Sequence, residues 1–485
     1  MPHSADTRTA AEQTNWLTPG VKGIGGASLL ADIGHEIPTA LLPSLLTSTL
    51  GAPASALGAI EGISDALAGV ARFGGGALSD EPERRRNLAV GGYTATAVLS
   101  AAIAPATSVW QVAVLRAGAW TARGLRVPAR NALLADVVPA SAYGRAYGFE
   151  RSMDNLGAIL GPLAAIGLIA TVGTRWAIAL SIIPGLLVAL AIIYAIRHTP
   201  KPTPQPKRPL RFKVRPVLQG ELRPLFAGIT AFEFGNCAAT LLILRATDLL
   251  QPGHGKDRAT TIAIALYVTY NIAATGTSLA AGRHSDRTNP TRVLTIGVAA
   301  FLIAYLGFTH DTASWAALLP WFLLAGVGIG CVETAEHAAV ATHAPTNIRG
   351  SAFGLLAATQ SFGNLAASLI AGILWTAFSP TWAFTYLTTA MAIALITLIV
   401  ANHRPEAHRR RDAAGQAAGQ PREGEHSRRL RHRGSGESRG CFACTIPAQE
   451  SAIPAGPARI RRTGRTRAVD VTTSDGRNRT SRTWE

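Results

Sequence analysis

The chain contains the stretch GALSDEPERRR at positions 76–86, directly after an apolar run, and the stretch GRHSDRTNPTR at positions 282–292, directly after another. The two stretches align without a gap at an offset of 206 residues. At this offset a glycine, a serine, an aspartate and an arginine recur at matched positions. Because four such matches in one register are rare by chance, the two stretches indicate an internal duplication.

The duplication extends well beyond these two stretches. The same offset pairs Ala135 with Ala341, Pro139 with Pro345, Ala146 with Ala352, Gly148 with Gly354 and Gly157 with Gly363. The chain is therefore two copies of one unit. Membrane transporters use repeats of this kind to expose a central site alternately to the two sides of the membrane.

The composition places the chain in a membrane. Of its 485 residues, 48% are hydrophobic and only 15% are charged, whereas about a quarter of residues are charged in soluble domains. Apolar runs of about 18 to 25 residues, each long enough to cross roughly 30 Å of hydrocarbon, recur between short polar loops. Twelve such runs predict an all-α membrane protein with 12 transmembrane helices in two pseudo-symmetric six-helix bundles. The predicted spans are 22–46, 55–78, 87–105, 110–136, 147–171, 176–196, 224–249, 259–282, 292–309, 314–342, 350–377 and 381–402.

Charge and proline content mark the domain boundaries. We predict a cytoplasmic N-terminal segment at 1–20, an N-terminal bundle at 21–196, a basic proline-rich linker at 197–223, a C-terminal bundle at 224–402 and a disordered arginine-rich tail at 403–485. The loops on one side of the spans carry most of the arginines. By the positive-inside rule both termini face the cytoplasm, and we expect a multi-pass protein of the plasma membrane.

The net charge of +17 lies almost entirely in two segments, the linker with +7 and the tail with +9. Basic segments beside membrane spans are typical of topology signals and of contact with anionic lipid headgroups. We therefore expect lipid contact there and no nucleic-acid partner. Of the four cysteines, Cys237 and Cys331 lie in apolar runs, and Cys441 and Cys444 form an isolated pair without the second pair of a zinc site.

The repeated loop stretch carries a family resemblance. Its glycine lets helices approach closely, and its aspartate can meet either a helix N-terminus or an arginine. The chain here resembles the major facilitator superfamily, whose loop signature is close to G-x-L-x-D-x-x-x-R-[RK]. Both copies depart from the signature, at Glu81-Pro82-Glu83 and at Arg283-His284. The resemblance implies that Asp80, Arg84, Arg85 and Asp286 latch the cytoplasmic side of an outward-facing state. The predicted gate motif comprises Gly76, Asp80, Arg84, Arg85, Gly282, Asp286 and Arg292.

A glycine and proline pattern in the fifth span, Gly148, Gly157, Gly161 and Pro162, resembles the antiporter motif of that superfamily. The pattern would give a grooved, kinked helix suited to close packing. The alternative interpretation is a packing face in a transporter of any direction. The segment 116–136 also resembles a little-characterised bacterial branch of the superfamily, and the resemblance as a whole favours drug/proton antiporter-like members.

Ionisable residues inside the spans are the strongest chemical signal, because such groups are rare in lipid without a partner or a pathway. Arg116, Arg123 and Arg130 recur every seven residues on one face of the fourth span, with Arg126 nearby. Arg126 and Arg130 have the alternative interpretation of anchors at the cytoplasmic end. The candidates for proton coupling or for the substrate cavity are Asp32, His35, Glu36, Glu61, Asp65, Arg116, Arg123, Asp154, Glu233, Asn236, Glu333, Glu336 and His337.

Two other roles are open for these residues. The acids would act only structurally if they paired permanently with Arg116 and Arg123. A metal site at His35 and Glu36, or at Glu336 and His337, lacks a fixed third ligand. We find no phosphate-binding loop, nucleophile elbow or HExxH pattern, so we predict no enzymatic activity, no cofactor and no metal.

Together these patterns predict a monomeric secondary transporter that exports a small drug-like or toxic compound in exchange for protons. The first alternative is proton-coupled uptake of an anionic nutrient, with the arginines as ligands. An alternative of another class is a membrane sensor or scaffold that acts through its basic tail.

Overall fold

The computed structural model describes residues 16–199 and 214–419, and the side chains at 54, 55, 58, 256, 257 and 401–419 are not part of that description. The first half forms helices α1 (Pro19–Ser44), α2 (Ala54–Leu78), α3 (Pro82–Ala101), α4 (Val109–Asp136), α5 (Tyr143–Leu180) and α6 (Ile182–Arg197). The second half forms α7a (Leu222–Glu233), α7b (Ala239–His254), α8 (Lys256–Arg287), α9 (Pro290–Thr309), α10 (Trp315–His343), α11 (Arg349–Ala377) and α12 (Pro380–Gly419). Each predicted span corresponds to one of these numbered helices, α7a and α7b together forming the seventh.

Local sequence explains where several helices begin. The Thr18 side chain accepts a hydrogen bond from the Val21 N–H at the start of α1, and the Asn289 side chain accepts one from Thr291 at the start of α9. Such caps satisfy backbone donors that have no partner inside the helix. Pro82 and Pro290 occupy the first positions of α3 and α9, where a missing N–H costs nothing. The repeated loops therefore end one helix and start the next.

The repeat is visible in the backbone as well. One 3₁₀ turn, Ala140–Ala142, precedes α5, and another, Thr346–Ile348, precedes α11 at the same offset of 206 residues. Two features depart from a simple row of spans. Residue Gly173 (φ +77°) interrupts α5 with a kink, and the part of α5 beyond it includes the start of the predicted sixth span. The predicted seventh span is divided into α7a and α7b by residues 234–238.

Six helical segments are long and apolar enough to cross a membrane by length and composition alone: Ala140–Leu180, Arg258–Arg287, Pro290–Thr309, Trp315–His343, Thr346–Ala377 and Pro380–Val400. Helix α6 is apolar but shorter, at 16 residues. Helices α1, α2 and α4 carry ionisable residues within their lengths. These charges face the interior described below.

The domain boundaries fall close to the helix ends. Helix α6 ends at Arg197 and α7a begins at Leu222, close to the predicted linker bounds of 197 and 223. A short helix, Val214–Val217, lies within the linker. Helix α12 continues to Gly419, past the start of the tail predicted at 403. The segment 1–15, the linker residues 200–213 and the tail residues 420–485 lie outside the described residues, as do Cys441 and Cys444.

Candidate functional site

Two aspartates join the halves at the end that carries the repeated loops, which we call the motif end. Asp80 accepts hydrogen bonds from the backbone N–H of Ser351 (2.8 Å) and from its hydroxyl (2.7 Å). Asp286 accepts from the backbone N–H groups of Gly144 (2.6 Å) and Arg145 (3.1 Å) and from Arg145 Nε (2.6 Å). Each aspartate therefore caps the first turn of a helix in the other half.

Glycines allow the backbones to meet at this end. A Cβ atom added to Gly76 would lie 2.6 Å from the Cα atom of Gly354, and one added to Gly282 would overlap the backbone of Gly144. Gly148 is equally tight against the Ser278 carbonyl on α8. Contacts this short exclude any side chain, so α2 packs directly on α11 and α8 packs directly on α5.

The arginines of the first loop have different partners. Arg85 is fully buried, donates to the Ser79 carbonyl (2.9 Å) and pairs with Asp136. Asp136 also lies 3.5 Å from Arg349 of the second half, so this ion network joins the halves. Arg84 instead pairs with Glu81 of its own loop (2.6 Å). In the second loop, Arg292 is exposed in the first turn of α9.

A cavity of about 530 Å³ lies between the halves, inward from this closed end. Its lining residues come from α1, α2, α4 and α5 of the first half, and from α7a, the break that follows it, α10 and α11 of the second half. Asp65 and Ala66 of α2 and Leu365 of α11, which all line the cavity, are exposed. Their exposure, together with the closed motif end, gives a cavity that is accessible from the opposite end.

We call the side of the cavity formed by the first half the first wall, and the side formed by the second half the second wall. The first wall contains an ion-paired cluster on α1. The imidazole of His35 lies 3.1 Å from Asp32 through Nδ1 and 3.2 Å from Glu36 through Nε2. Arg123 of α4 lies 3.0 Å from the same Nε2 and 3.6 Å from Asp32. Asp32 and Arg123 line the cavity, and His35 lies behind them.

Deeper on the same side, Arg116 is buried against three groups. It lies 2.9 Å from Glu61 of α2 and 3.1 Å from the Thr39 hydroxyl, and its guanidinium stacks 3.4 Å above the Trp120 ring. The Trp120 indole N–H donates to Asp65 (2.8 Å). Arg116 and Glu61 are therefore positioning residues between α1, α2 and α4 rather than part of the cavity lining.

A second buried network links α4 to α5. Arg130 lies 2.8 Å from Glu150 and 3.6 Å from Asp154, and Arg151 lies 2.7 Å from Glu150 and 3.1 Å from Asp154. The Ser28 hydroxyl of α1 is 2.5 Å from Glu150. Arg130 is only 5% exposed, so its charge lies inside the protein beside these acids. Arg126 is buried as well, with its guanidinium 3.7 Å above the Tyr93 ring.

The second wall differs in the partners of its acids, since Glu336 lies 3.7 Å from the imidazole of the neighbouring His337. Glu233, Glu333 and Glu336 have no Lys or Arg side chain within 4 Å among the described residues. Glu233 accepts a hydrogen bond from Asn236 (3.0 Å) and Glu336 accepts one from Gln360. The imidazole of His337 hydrogen-bonds to the Glu333 carbonyl (2.6 Å). Glu233, Asn236, Glu333 and His337 line the cavity, whereas Glu336 is completely buried behind it.

The break in the seventh span supplies part of this wall. Glu233 ends α7a, and Asn236 lies in the irregular segment before α7b. The Asn236 carbonyl accepts from Asn364 Nδ2 (2.7 Å), and the Ser368 hydroxyl accepts from the Ala238 N–H (2.8 Å). Irregular backbone at membrane depth is tolerated where it lines a cavity and other protein groups satisfy it. The discontinuous helix is therefore held to α11 at the cavity.

The repeat places opposite charges at matched positions. Arg130 of α4 corresponds to Glu336 of α10 at the offset of 206, and their partners Asp154 and Gln360 correspond in the same way. Gly157 packs against Asp32, and its counterpart Gly363 packs against Glu233. The duplicated backbones therefore place a basic residue, Arg130, and an acidic residue, Glu336, at equivalent positions of the two halves.

The remaining glycines of the predicted antiporter motif pack on α1. A Cβ atom added to Gly157 would lie 2.7 Å from the Leu29 carbonyl oxygen, and one added to Gly161 would overlap Glu36. Pro162 lies inside α5. Both glycines hold α5 against the helix that carries Asp32 and Glu36, which is consistent with a packing role.

Several cavity residues were missed by the sequence analysis. Arg72 of α2 donates to the Ala357 carbonyl (3.3 Å) and the Ser361 hydroxyl of α11. Its signal was a basic residue inside an apolar run, the same signal that identified Arg116. Glu150 and Arg151 stand at the start of the predicted fifth span, and Gln360 is the repeat counterpart of Asp154. Among the described residues, no group of three or more His, Cys, Asp or Glu is arranged to hold a metal ion.

Comparisons with known proteins agree with this architecture. A family model described as Major Facilitator Superfamily matches residues 24–310 and 250–454. An uncharacterized MFS-type transporter of Methanocaldococcus jannaschii is 29% identical over 392 residues, which cover 80% of this chain and 96% of that protein. An uncharacterized protein of Mycobacterium tuberculosis is 27% identical over 362 residues, covering 73% and 84%.

Solved transporters have the same fold. A human organic anion transporter superimposes with a TM-score of 0.61 at 16% identity, covering 78% of this chain and 99% of that chain. A bacterial homologue of the iron transporter ferroportin, in its outward-facing state, gives 0.63 at 14% identity, covering 79% and 99%. A proton:xylose symporter gives 0.59 at 15% identity, covering 79% and 95%. These matches confirm the predicted all-α transporter fold.

Proposed function

The chain belongs to the major facilitator superfamily, and we propose that it moves a small charged solute across the membrane by alternating access. As a member of this family it is a transporter and not an enzyme. The observation that carries the proposal is the pair of aspartates, Asp80 and Asp286, that close one end of a charged cavity. Rocking of the two halves would break these caps and expose the same cavity to the other side.

We also propose that protons drive the transport, with export as the direction. Proton coupling requires carboxylates that gain and lose a proton as the cavity changes sides. Protonating Glu333, Glu233 or Glu336 would break no ion pair with a described Lys or Arg. Protonating Asp32 or Asp154 would disrupt contacts to Arg123, Arg130 or Arg151. The acids of the second wall are therefore the better proton carriers, and those of the first wall are better suited to hold helices together.

The cavity lining favours a charged or strongly polar solute within the drug-like or toxic class expected from the sequence. Most of the residues that line it are charged or polar, and the two walls carry both signs of charge. A lipophilic compound would bury these groups without replacing their hydration. A charged or strongly polar compound supplies the missing partners.

We propose that the motif end faces the cytoplasm at the plasma membrane, with both termini on that side. The loops at this end carry most of the arginines found between spans, and positive loops remain on the cytoplasmic side. These loop residues are Arg84, Arg85, Arg86, Arg145, Arg283, Arg287, Arg292 and Arg349. In this orientation the closed motif end would correspond to an outward-facing state.

Uptake of an anionic solute is the second candidate. The observation that favours it is the row of arginines along the cavity, Arg72, Arg123, Arg126, Arg130 and Arg151. Counterflow in oriented proteoliposomes separates the two directions, because export and uptake require loading from opposite faces.

A proton-flux assay in proteoliposomes tests the proposed function. Solutes of differing charge are added to one face, and the internal pH is followed with an enclosed dye. We expect solute-dependent proton movement that Glu333→Gln abolishes and that exposed Asp248→Asn, on α7b, leaves unchanged. Equal proton movement in the wild type and Glu333→Gln would contradict the assignment of coupling to the second wall.

A further inference from the structure

Two guanidinium groups in the cavity have no acidic partner. Arg126 is 3% exposed, stacks on Tyr93 and has a buried Nε without a hydrogen-bond partner. Arg72 reaches only the Ala357 carbonyl and the Ser361 hydroxyl, and its Nε is also buried without a hydrogen-bond partner. Among the described residues no carboxylate lies within 4 Å of either guanidinium. The first wall therefore presents two positive charges that its own acids do not neutralise directly.

The facing wall presents two carboxylates in the matching situation. Glu233 is 2% exposed and hydrogen-bonds to Asn236, which is neutral. Glu333 lines the same cavity and has no Lys or Arg of the described chain within 4 Å. The two acids stand on different helices, α7a and α10, so they form a surface rather than a single point. Each wall therefore carries charged groups that have no oppositely charged partner within 4 Å among the described residues.

Burying a charge is costly unless an opposite charge and hydrogen bonds accompany it. When the cavity closes around a solute, water leaves and each wall must find its partner on that solute. An anion would satisfy Arg72 and Arg126 and would leave the carboxylates facing a like charge. A cation would do the reverse. A solute with both charges satisfies the two walls together without protonation of the carboxylates.

We propose that the transported solute is a zwitterion. Its anionic group contacts Arg72 and Arg126, and its cationic group contacts Glu233 and Glu333. This inference rests on the proposed function and adds the chemical class of the substrate. The volume of about 530 Å³ suits a small solute of this kind, since ligand sites in proteins typically measure roughly 300–1,000 Å³.

The arrangement also accounts for exchange with protons. The cationic end of the solute and a proton compete for the same carboxylates of the second wall. Binding of the zwitterion therefore displaces protons from Glu233 and Glu333, and release of the solute on the other side lets them return. A solute without a cationic group would not take part in this competition.

Thermal stabilisation of the purified full-length protein in lipid nanodiscs tests the proposal. The probes are ω-amino acids of increasing chain length, each with the carboxylic acid and the primary amine of the same carbon chain. We expect at least one ω-amino acid to stabilise the protein at a concentration about tenfold lower than both matched compounds, a difference of about 1.4 kcal/mol.

Variants of the cavity residues test which wall binds each end of the amino acid. Glu333→Gln removes the advantage of the amino acid over the carboxylic acid, and Arg126→Gln removes its advantage over the amine. Glu233→Gln and Arg72→Gln, on other helices, repeat the test if either variant fails to fold. Exposed Asp248→Asn and Arg258→Gln serve as matched controls and should retain the full preference.

Equal stabilisation by the amino acid and one of its singly charged counterparts would overturn the proposal, as would the absence of stabilisation by every amino acid. Alternating access is measured separately, without solute, from distances at the two ends of the bundles. A failure of the zwitterion proposal would therefore be distinguishable from a failure of the proposed transport function.

Discussion

Asp80 and Asp286 make the same contact in opposite directions across the interface between the halves. Asp80 of the first half caps the first turn of α11, and Asp286 of the second half caps the first turn of α5. The two acids and the two helix starts are each related by the offset of 206 residues. The motif end is therefore closed by one interaction used twice.

Removing either cap should favour opening of the motif end. A carboxylate at a helix N-terminus contributes about 0.5–2 kcal/mol, so Asp80→Ala should increase the open population by about fivefold. We expect the double variant Asp80→Ala/Asp286→Ala to add the two effects. The measurement is the maleimide reactivity of a cysteine at position 285, where Ser285 is 3% exposed at this interface.

The matched control for the caps is Glu83→Ala, because Glu83 is an exposed acid of the same loop. The cysteine at position 285 should react at the wild-type rate in this control. An unchanged rate in Asp80→Ala would show that the cross-half cap does not hold the end closed.

Close approach of the glycines should be as important for closure of the motif end as the aspartate caps. The added methyl group of Gly76→Ala would lie 2.6 Å from Gly354 Cα, so closure would require the backbones to separate. We expect this variant to lose most solute counterflow and to label rapidly at position 285. Gly74→Ala is the control, since an added Cβ there meets nothing within 4 Å. Equal counterflow in the two variants would count against direct packing of α2 on α11.

The two walls should respond differently to loss of a carboxylate. Asp32→Asn breaks a buried cluster with His35 and Arg123, and removal of one member of a buried ion pair typically costs about 3–5 kcal/mol. Glu333→Gln breaks no ion pair and should change stability by less than about 1 kcal/mol. Thermal unfolding in nanodiscs measures both effects.

Proton flux should show the opposite order of effects. Glu333→Gln is expected to uncouple solute from proton movement while its thermal stability stays near that of the wild type. Glu336→Gln retains a side-chain oxygen that can accept the hydrogen bond from Gln360, so we expect it to weaken coupling without unfolding the protein. If the Glu333→Gln variant is stable and fully coupled while the Asp32→Asn variant is uncoupled, the proton site lies in the first wall instead.

Removal of residues 420–485 separates transport from signalling. The gate and cavity residues described above all precede the end of α12, so the shortened protein should retain counterflow at about the wild-type rate. Loss of counterflow in a protein that still inserts and unfolds normally would assign the basic tail a direct role. It would also favour the alternative of a sensor that acts through this segment.

Much of the architecture could be predicted because lipid imposes strong constraints on sequence. The apolar runs identified the spans, and the repeated offset identified the two halves before any contact was known. The same offset correctly related Asp80 to Asp286 and placed both in matching loops. The break at residues 234–238 could not be predicted, because its stability comes from distant groups such as Asn364 and Ser368.

Only part of the candidate site could be predicted from the sequence, for a similar reason. Charges inside apolar runs identified most of the ionisable residues, but the sequence does not show which of them meet. Asp32 with Arg123 and Glu61 with Arg116 form pairs, whereas Glu333 does not. That difference depends on the packing of separate helices, and it distinguishes structural acids from candidate proton carriers.

Distances at the two ends of the bundles test alternating access most directly. With the four native cysteines replaced, spin labels at exposed positions 83 and 287 report on the motif end, and labels at 48 and 379 report on the opposite end. We predict two populations in which one distance lengthens as the other shortens, with Asp80→Ala/Asp286→Ala enriching the population opened at the motif end. A single fixed distance at both ends, in the wild type and in this variant, would contradict alternating access.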